Sequence, residues 1–227
     1  IMKVDIKSFF VMPMPTQPLG WFKKPIMSAD QLKGLKYRTV GLAADLFQAM
    51  GASVAQLPGG EIVPAMERGV IDGFEFNNPT SDRRFGAQDV AKNYMLGSHH
   101  QATEYFEIMF KRSKYTALPA EHQALLQYAA EAVSSANEWK AMDYYSKDLQ
   151  ELITKDKVNV VRTPQAIFDA QIKAWDGLIE GLAKDPYMKK VMDSQKEWVR
   201  RVVYYNMYNA TDYKGAFNHH FPGVLKI

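Results

Sequence analysis

The sequence predicts an α/β fold, and two observations carry that prediction. Between Leu35 and Phe76, short β-rich runs alternate with helical ones in the order strand, helix, strand, helix, strand. This is the βαβ pattern that builds a parallel sheet. From Pro119 to about Lys155 the chain has a 3.6-like apolar period and no internal Gly or Pro, which reads as one long helix. With 227 residues, 47% of them hydrophobic, there is material for one large or two small domains.

Taken in order, Val4 to Met12 is apolar and β-rich, a strand. Pro13, Pro15 and Pro18 make the next stretch irregular, and Gly20-Trp21-Phe22 follows. Ser28 to Gln31 reads as a capped turn leading into Leu32-Lys33-Gly34. Leu35 to Val40 is a strand with Arg38 near its end, Leu42 to Met50 a helix stopped by Gly51, and Ser53 to Leu57 another strand. Pro58 and Gly59-Gly60 then form a turn. Glu61 starts a short helix with Ile62, Ala65 and Met66 on one face, and Gly69 ends it. Val70, Ile71, Phe74 and Phe76 read as a buried strand. Its end carries Glu75, Asn77 and Asn78 before Pro79; a carboxylate and two amides there suit the mouth of an α/β crevice.

Arg83 to Val90 reads as a short helix, and Tyr94 to His100 and Thr103 to Phe110 as strands separated by a turn. In the long helix Leu125, Leu126, Ala129, Val133, Ala136, Trp139 and Met142 line one face. Asn159 to Val161 is a strand, and Pro164 to about Lys184 and Pro186 to Tyr208 are helices. The closing stretch from Gly215 is expected to be irregular.

Four segments in register carry a family resemblance. They are QPLGWFKKPI, DQLKGLKYRTVG, LPGGEIVPAMERGVID and the acidic residue before NNP. Together they resemble the DctP-type solute-binding proteins, the extracytoplasmic receptors of TRAP transporters, and most of all the branch that binds keto and hydroxy acids. The resemblance implies a two-lobed periplasmic-binding-protein-like fold with a hinge and a long spine helix. It also implies that part of the first lobe lies N-terminal to this sequence. Residues 1–14 would then end lobe I and form a hinge strand, 15–101 lobe II, and 102–140 the return to lobe I. Residues 141–227 would continue the spine helix, return to lobe II and add C-terminal helices. The implied function is capture of a small organic acid, a 2-oxo or 2-hydroxy carboxylate with room for a bulky or aromatic one, for a TRAP membrane permease. The implied location is the periplasm.

Composition narrows the other classes. A net charge of +3 without a long basic run gives no footprint for nucleic acid. With no Cys, disulfides and thiolate chemistry are excluded. No G-x-S-x-G elbow, P-loop or H-E-x-x-H occurs, so no enzyme is expected. An α/β enzyme acting on organic acids and a ligand-binding sensor module remain the alternatives.

Arg38 is the first candidate site residue. It ends a strand of the same predicted sheet as Glu75, so both should open onto one edge. A surface ion pair is the other reading of an Arg there. The resemblance implies that Arg38 takes the ligand carboxylate, which a guanidinium can grip with two parallel bonds. It further implies a bound cation, Na or Ca, held by Glu75, the Phe76 carbonyl and Gln17 and bridging to the ligand. For Gln17 a solvated loop residue is the alternative. Phe76 stands where the branch usually has Trp, and Gln101 where it commonly has Glu; the latter lowers the charge expected at the metal position. Asn77 and Asn78 have two readings, hydrogen bonds to the ligand or turn formation before Pro79. Trp21 has two as well, pocket wall or core. His99-His100 and His219-His220 are poor co-ligands because adjacent strand residues face opposite ways. The C-terminal helices imply a possible homodimer contact.

Overall fold

The structure, a computed structural model, describes residues 4–225. Its strands are β1 (Ile6–Met14), β2 (Gly20–Phe22), β3 (Lys36–Arg38), β4 (Ser53–Ala55), β5 (Gly73–Phe74), β6 (Asn93–Leu96), β7 (Glu104–Lys111) and β8 (Asn159–Arg162). The helices are α1 (Leu42–Ala49), α2 (Ile62–Glu67), α3 (Pro79–Phe85), α4 (Ala87–Val90), α5 (Arg112–Thr116), α6 (Ala120–Thr154), α7 (Gln165–Leu182), α8 (Pro186–Tyr208) and α9 (Tyr213–His220). The chain forms one compact unit up to Ile172 and a second from Lys173.

In the first unit, six strands form one sheet in the order β4-β3-β5-β2-β6-β8. Strand β3 runs parallel to β4 and β5, as the βαβ pattern predicts. Strand β2 is antiparallel to both of its neighbours, so the sheet is mixed rather than wholly parallel. It reaches the sheet through the Pro-rich connection after β1 and not through a crossover helix, so nothing forces it parallel. Gly20 is required there: its φ is 134°, and a Cβ would collide with the Phe74 carbonyl on β5.

Both faces of this sheet are covered. Successive residues of one strand enter opposite cores, because the side-chain period is two. Trp21 and Tyr94 join Ile62, Met66, Ile71 and Phe74 on one face. Phe22 and Met95 join Leu19, Leu32, Tyr37 and Phe47 on the other. Burial on both sides accounts for the near-continuous apolar runs in the sequence.

The predicted strand from Val70 to Phe76 shrinks to Gly73–Phe74, and Val70 is half exposed. The N–H groups of Val70 and Ile71 turn back to the Ala65 carbonyl and finish the helix end, which leaves only the last residues to pair. The helix expected from Arg83 starts earlier, at Pro79, and breaks at Gly86, whose φ is 87°. Asn78 starts it: its Oδ1 accepts from the N–H groups of Thr80 and Ser81 at 3.1 and 3.0 Å.

Strands β1 and β7 form a separate antiparallel pair, from Ile6↔Lys111 to Met14↔Glu104, and α6 packs against β1. The apolar face predicted for α6 is largely uncovered among the described residues. Ala130 and Leu152 are buried, whereas Leu125 and Trp139 are 66% and 74% exposed. Helix α6 is tied to α3 by Arg83, which bonds Asp148, Glu151 and Asp156. In the second unit α8 presents Trp198, Tyr204, Tyr205 and Tyr208 to solvent. The tail expected to be irregular contains α9, started by Asp212, whose Oδ1 accepts from Gly215 N–H at 2.8 Å.

Candidate functional site

The carboxyl ends of β3 and β5 lie side by side, with Glu75 N–H donating to the Arg38 carbonyl at 3.3 Å. This is the sheet edge where open α/β folds bind ligands. Two connecting segments close it. One follows β1 and carries Gln17; the other follows β6 and carries His100 and Gln101. They are stitched by Gln17 N–H to the Gln101 carbonyl at 3.1 Å and by Thr16 Oγ1 to the Ala102 carbonyl at 2.8 Å.

These pieces border a half-open cavity of about 150 Å³ lined by Gln17, Arg38, Thr39, Glu75, Phe76, His100, Gln101 and Glu104, with Val40 and Ala43. By the share of liquid volume that a water takes, about 30 Å³, this is room for about five waters or one small acid. Roomier hollows near Lys23 and Asp72, and between β1, α3 and α6, lack such convergence of buried charge.

Arg38 is 6% exposed and closely held. Its Nη1 donates to Glu75 Oε1 at 2.9 Å and to the Glu75 carbonyl at 3.0 Å, and its Nε to the Leu57 carbonyl at 2.9 Å. Nη2 takes part in none of these bonds. Burial pushes the Glu75 carboxyl up to about 7, with the Arg38 charge opposing. The Thr39 hydroxyl is buried within electrostatic reach of that carboxylate but in hydrogen-bonding geometry with no partner.

The remaining oxygens gather around Gln17. Its Nε2 donates to the Phe76 carbonyl at 3.3 Å and to Glu104 Oε2 at 3.0 Å. Its Oε1 lies 3.2 Å from His100 Nε2. His100 is buried, and burial pushes its pKa down to about 4, so the ring is neutral.

The structure thus brings Arg38, Glu75, Phe76, Gln17 and Gln101 to one cavity. It places Trp21 and Asn77 elsewhere. Trp21 is fully buried in the core, stacked on Tyr94 at 4.1 Å between ring centroids. Its Nε1 donates to Asp82 Oδ2 at 2.9 Å. An indole on a central strand has more to gain from the core than from a cleft. Asn77 and Asn78 organise the start of α3, their N–H groups both donating to Asp82 Oδ1. The Phe76 ring stacks on Phe85 at 4.6 Å, so its carbonyl rather than its ring is the group available for coordination.

Sequence reasoning missed Glu104, Thr39 and Asp82, and weighed His100 only as a metal ligand. Glu104 matters most, because it supplies a carboxylate three residues after Gln101. The cavity therefore carries a carboxylate beside the Gln101 amide. An acidic residue opening a predicted strand beside the candidate turn was the available signal. Asp82 is a buried carboxylate that accepts from Trp21 and Tyr94 as well as the two Asn N–H groups, and burial pushes it up to about 6.

The donor set fits a hard cation: two carboxylates, a backbone carbonyl and carboxamides, with a buried hydroxyl lacking a partner. No cluster of three or more His, Cys, Asp or Glu suited to a metal ion occurs among the described residues.

Comparison with known proteins identifies the family. Residues 17–185 match the model of the bacterial extracellular solute-binding proteins, family 7, DctP. A monocarboxylate 2-oxoacid-binding periplasmic protein of Nostoc sp. is 29% identical over 197 residues, 86% of this chain and 54% of that protein. A TRAP periplasmic solute-binding protein from Colwellia psychrerythraea, solved with calcium and pyruvate, superposes with a TM-score of 0.85 at 29% identity. That match covers 96% of this chain and 65% of the other. One from Pseudoalteromonas atlantica with sodium and pyruvate gives 0.83 at 27%, with the same coverages. One from Bordetella bronchiseptica, a mixed-occupancy dimer with copurified calcium and picolinate, gives 0.79 at 26%, covering 95% and 65%. The chain therefore spans about half to two thirds of the length of these relatives.

Proposed function

Because this chain belongs to the bacterial extracellular solute-binding proteins of family 7, DctP, we propose that it captures a small 2-oxo or 2-hydroxy monocarboxylate with a calcium or sodium ion. It delivers the acid outside the cytoplasm to the membrane permease of a TRAP-type transporter. One observation carries this reading: Arg38, Glu75, Phe76, Gln17 and Glu104 all line one half-open cavity of about 150 Å³.

Each residue has a role in that capture. Glu75, Glu104, the Phe76 carbonyl and Gln17 hold the cation, with Gln101 beside them. When bound, the ion supplies a positive centre for the oxygens of the acid. Arg38, locked by Glu75 and Leu57, offers Nη2 to the carboxylate. A fixed guanidinium loses little rotamer freedom on binding, and a burial site for a charged group needs that prior ordering. The exposed aromatic residues of α8 support a homodimer contact through the C-terminal helices.

A thermal-shift panel on the full chain tests the reading. Pyruvate, lactate, picolinate, succinate and a neutral sugar are each added with and without calcium. A ligand at about 100 times its Kd contributes roughly 2.7 kcal/mol and raises Tm visibly. The reading expects pyruvate or lactate to do so, more strongly with calcium. If no monocarboxylate shifts the folded chain under either condition, it is wrong.

A further inference from the structure

The Phe76 carbonyl and the Asn77 N–H belong to one peptide unit, so whatever holds the N–H also aims the oxygen. The unit is trans, as are all those among the described residues. In a planar trans unit the C=O and the N–H point in opposite directions. The Asn77 N–H donates to Asp82 Oδ1 at 3.0 Å, and Asp82 is fully buried. On the opposite side of the plane, the Phe76 oxygen meets the cavity residue Gln17, whose Nε2 donates to it at 3.3 Å.

Asp82 is itself fixed from several directions. Its Oδ1 also accepts from Asn78 N–H and Ser81 Oγ, both at 3.1 Å. Its Oδ2 accepts from Trp21 Nε1 at 2.9 Å and from the Tyr94 hydroxyl at 3.2 Å. Trp21 and Tyr94 are paired residues of β2 and β6 in the middle of the sheet. A peptide that turned away from this carboxylate would give up a charge-assisted bond, with no bulk water to replace it. Capping of α3 does not account for the bond to Asn77. Asn78 is the cap, its Oδ1 already accepts from the Thr80 and Ser81 N–H groups, and Asn77 lies ahead of it.

The carboxylate also alters the carbonyl. Linked hydrogen bonds polarise one another, so an N–H donated to an anion leaves the carbonyl oxygen of the same unit more negative. A hard cation favours such an oxygen.

We propose that Asp82 is a positioning residue for the cation: through the Phe76–Asn77 peptide plane it aims the Phe76 carbonyl into the cavity and polarises it. This rests on the cation reading above. Asp82 touches neither ion nor ligand; it is absent from the cavity lining and acts only through that plane.

The test uses the full chain. Phe followed by Asn occurs at Phe76-Asn77 and at Phe217-Asn218 and nowhere else in the sequence. Carbon-13 in the phenylalanine carbonyls and nitrogen-15 in asparagine therefore mark both peptide units by NMR, and the Phe217–Asn218 peak reports any general response. Calcium chloride should move the Phe76–Asn77 peak in both its carbonyl carbon and its amide proton, while calorimetry gives the affinity. Asp82→Ala removes the acceptor and should lower calcium affinity by about ten- to a hundredfold. Tyr94→Phe takes one donor from Oδ2 and leaves both backbone bonds, so it should cost stability yet bind calcium within about threefold of wild type. Folded Asp82→Ala that binds calcium as wild type does would reduce Asp82 to a packing residue and overturn the proposal, as would Tyr94→Phe weakening calcium as much as Asp82→Ala. If Asp82→Ala does not fold, the wild type decides: bound calcium that leaves the Phe76–Asn77 peak unmoved overturns this inference alone. No binding of calcium or sodium at millimolar concentration overturns it together with the cation reading.

Discussion

Lowering the pH from 8 to 6 should weaken calcium binding about tenfold, through Glu75. This carboxyl is 4% exposed, and burial pushes it up to about 7 even with Arg38 Nη1 at 2.9 Å. A metal takes the carboxylate and not the acid, so the proton competes with the ion. With a pKa near 7, roughly nine tenths of the groups are ionised at pH 8 and one tenth at pH 6; the ratio corresponds to about 1.4 kcal/mol. His100, held near 4, stays neutral across this window, and Asp82, near 6, sits behind Trp21 and outside the cavity lining. The sign for stability follows. The folded pKa of Glu75 lies above its ordinary value of 4.5, so the fold binds the proton more tightly than the unfolded chain does. Without cation, its contribution is least favourable above about pH 7 and improves as pH falls towards 4.5. Calorimetric titration with calcium at pH 8, 7 and 6 checks this on wild type and on Glu75→Gln, which keeps an oxygen for Arg38. The variant should bind calcium far more weakly, and the pH dependence of its stability over this range should shrink to what Asp82, near 6, contributes. Equal wild-type affinity at pH 8 and 6 would refute the argument.

Two further substitutions probe residues that only the structure disclosed. Glu104→Gln should lower calcium affinity by about ten- to a hundredfold, the usual scale for a group supporting a metal site, and sodium affinity by less; paired calorimetric titrations distinguish the two. Asp82→Asn should destabilise the fold by about 2–5 kcal/mol in urea unfolding, because an amide nitrogen would face buried donors from Trp21, Tyr94 or the Asn N–H groups.

The sheet was legible wherever the local signals agreed. Arg38 at the end of β3 and Glu75 just after β5 follow from apolar runs, a βαβ order and the glycine stops, all local features. The orientation of β2 was not legible, since strand direction depends on which neighbours it meets and not on its own three residues. Nor was the core position of Trp21, which Asp82 and Tyr94 fix from elsewhere in the chain. In the site, Gln17 and Gln101 could be named from their neighbours in sequence, but Glu104 could not. Its place depends on where the segment after β6 crosses the one after β1, a pairing of residues more than eighty positions apart. The apolar stripe of α6 was legible as a pattern, whereas how much of it is covered depends on packing.

The measurement closest to the central claim is calorimetry of pyruvate binding, in saturating calcium, to wild type and to Arg38→Lys. The account predicts that wild type binds one equivalent and that removing calcium weakens it strongly. Arg38→Lys should keep the charge and lose the planar fork, weakening binding by roughly thirtyfold or more, the low end of about 2–5 kcal/mol for breaking a buried charged pair. The variant must be shown folded by its near-ultraviolet circular dichroism, because Arg38 also holds Glu75 and the Leu57 carbonyl. Pyruvate binding by folded Arg38→Lys within about threefold of wild type, or wild-type binding indifferent to calcium, would contradict the account.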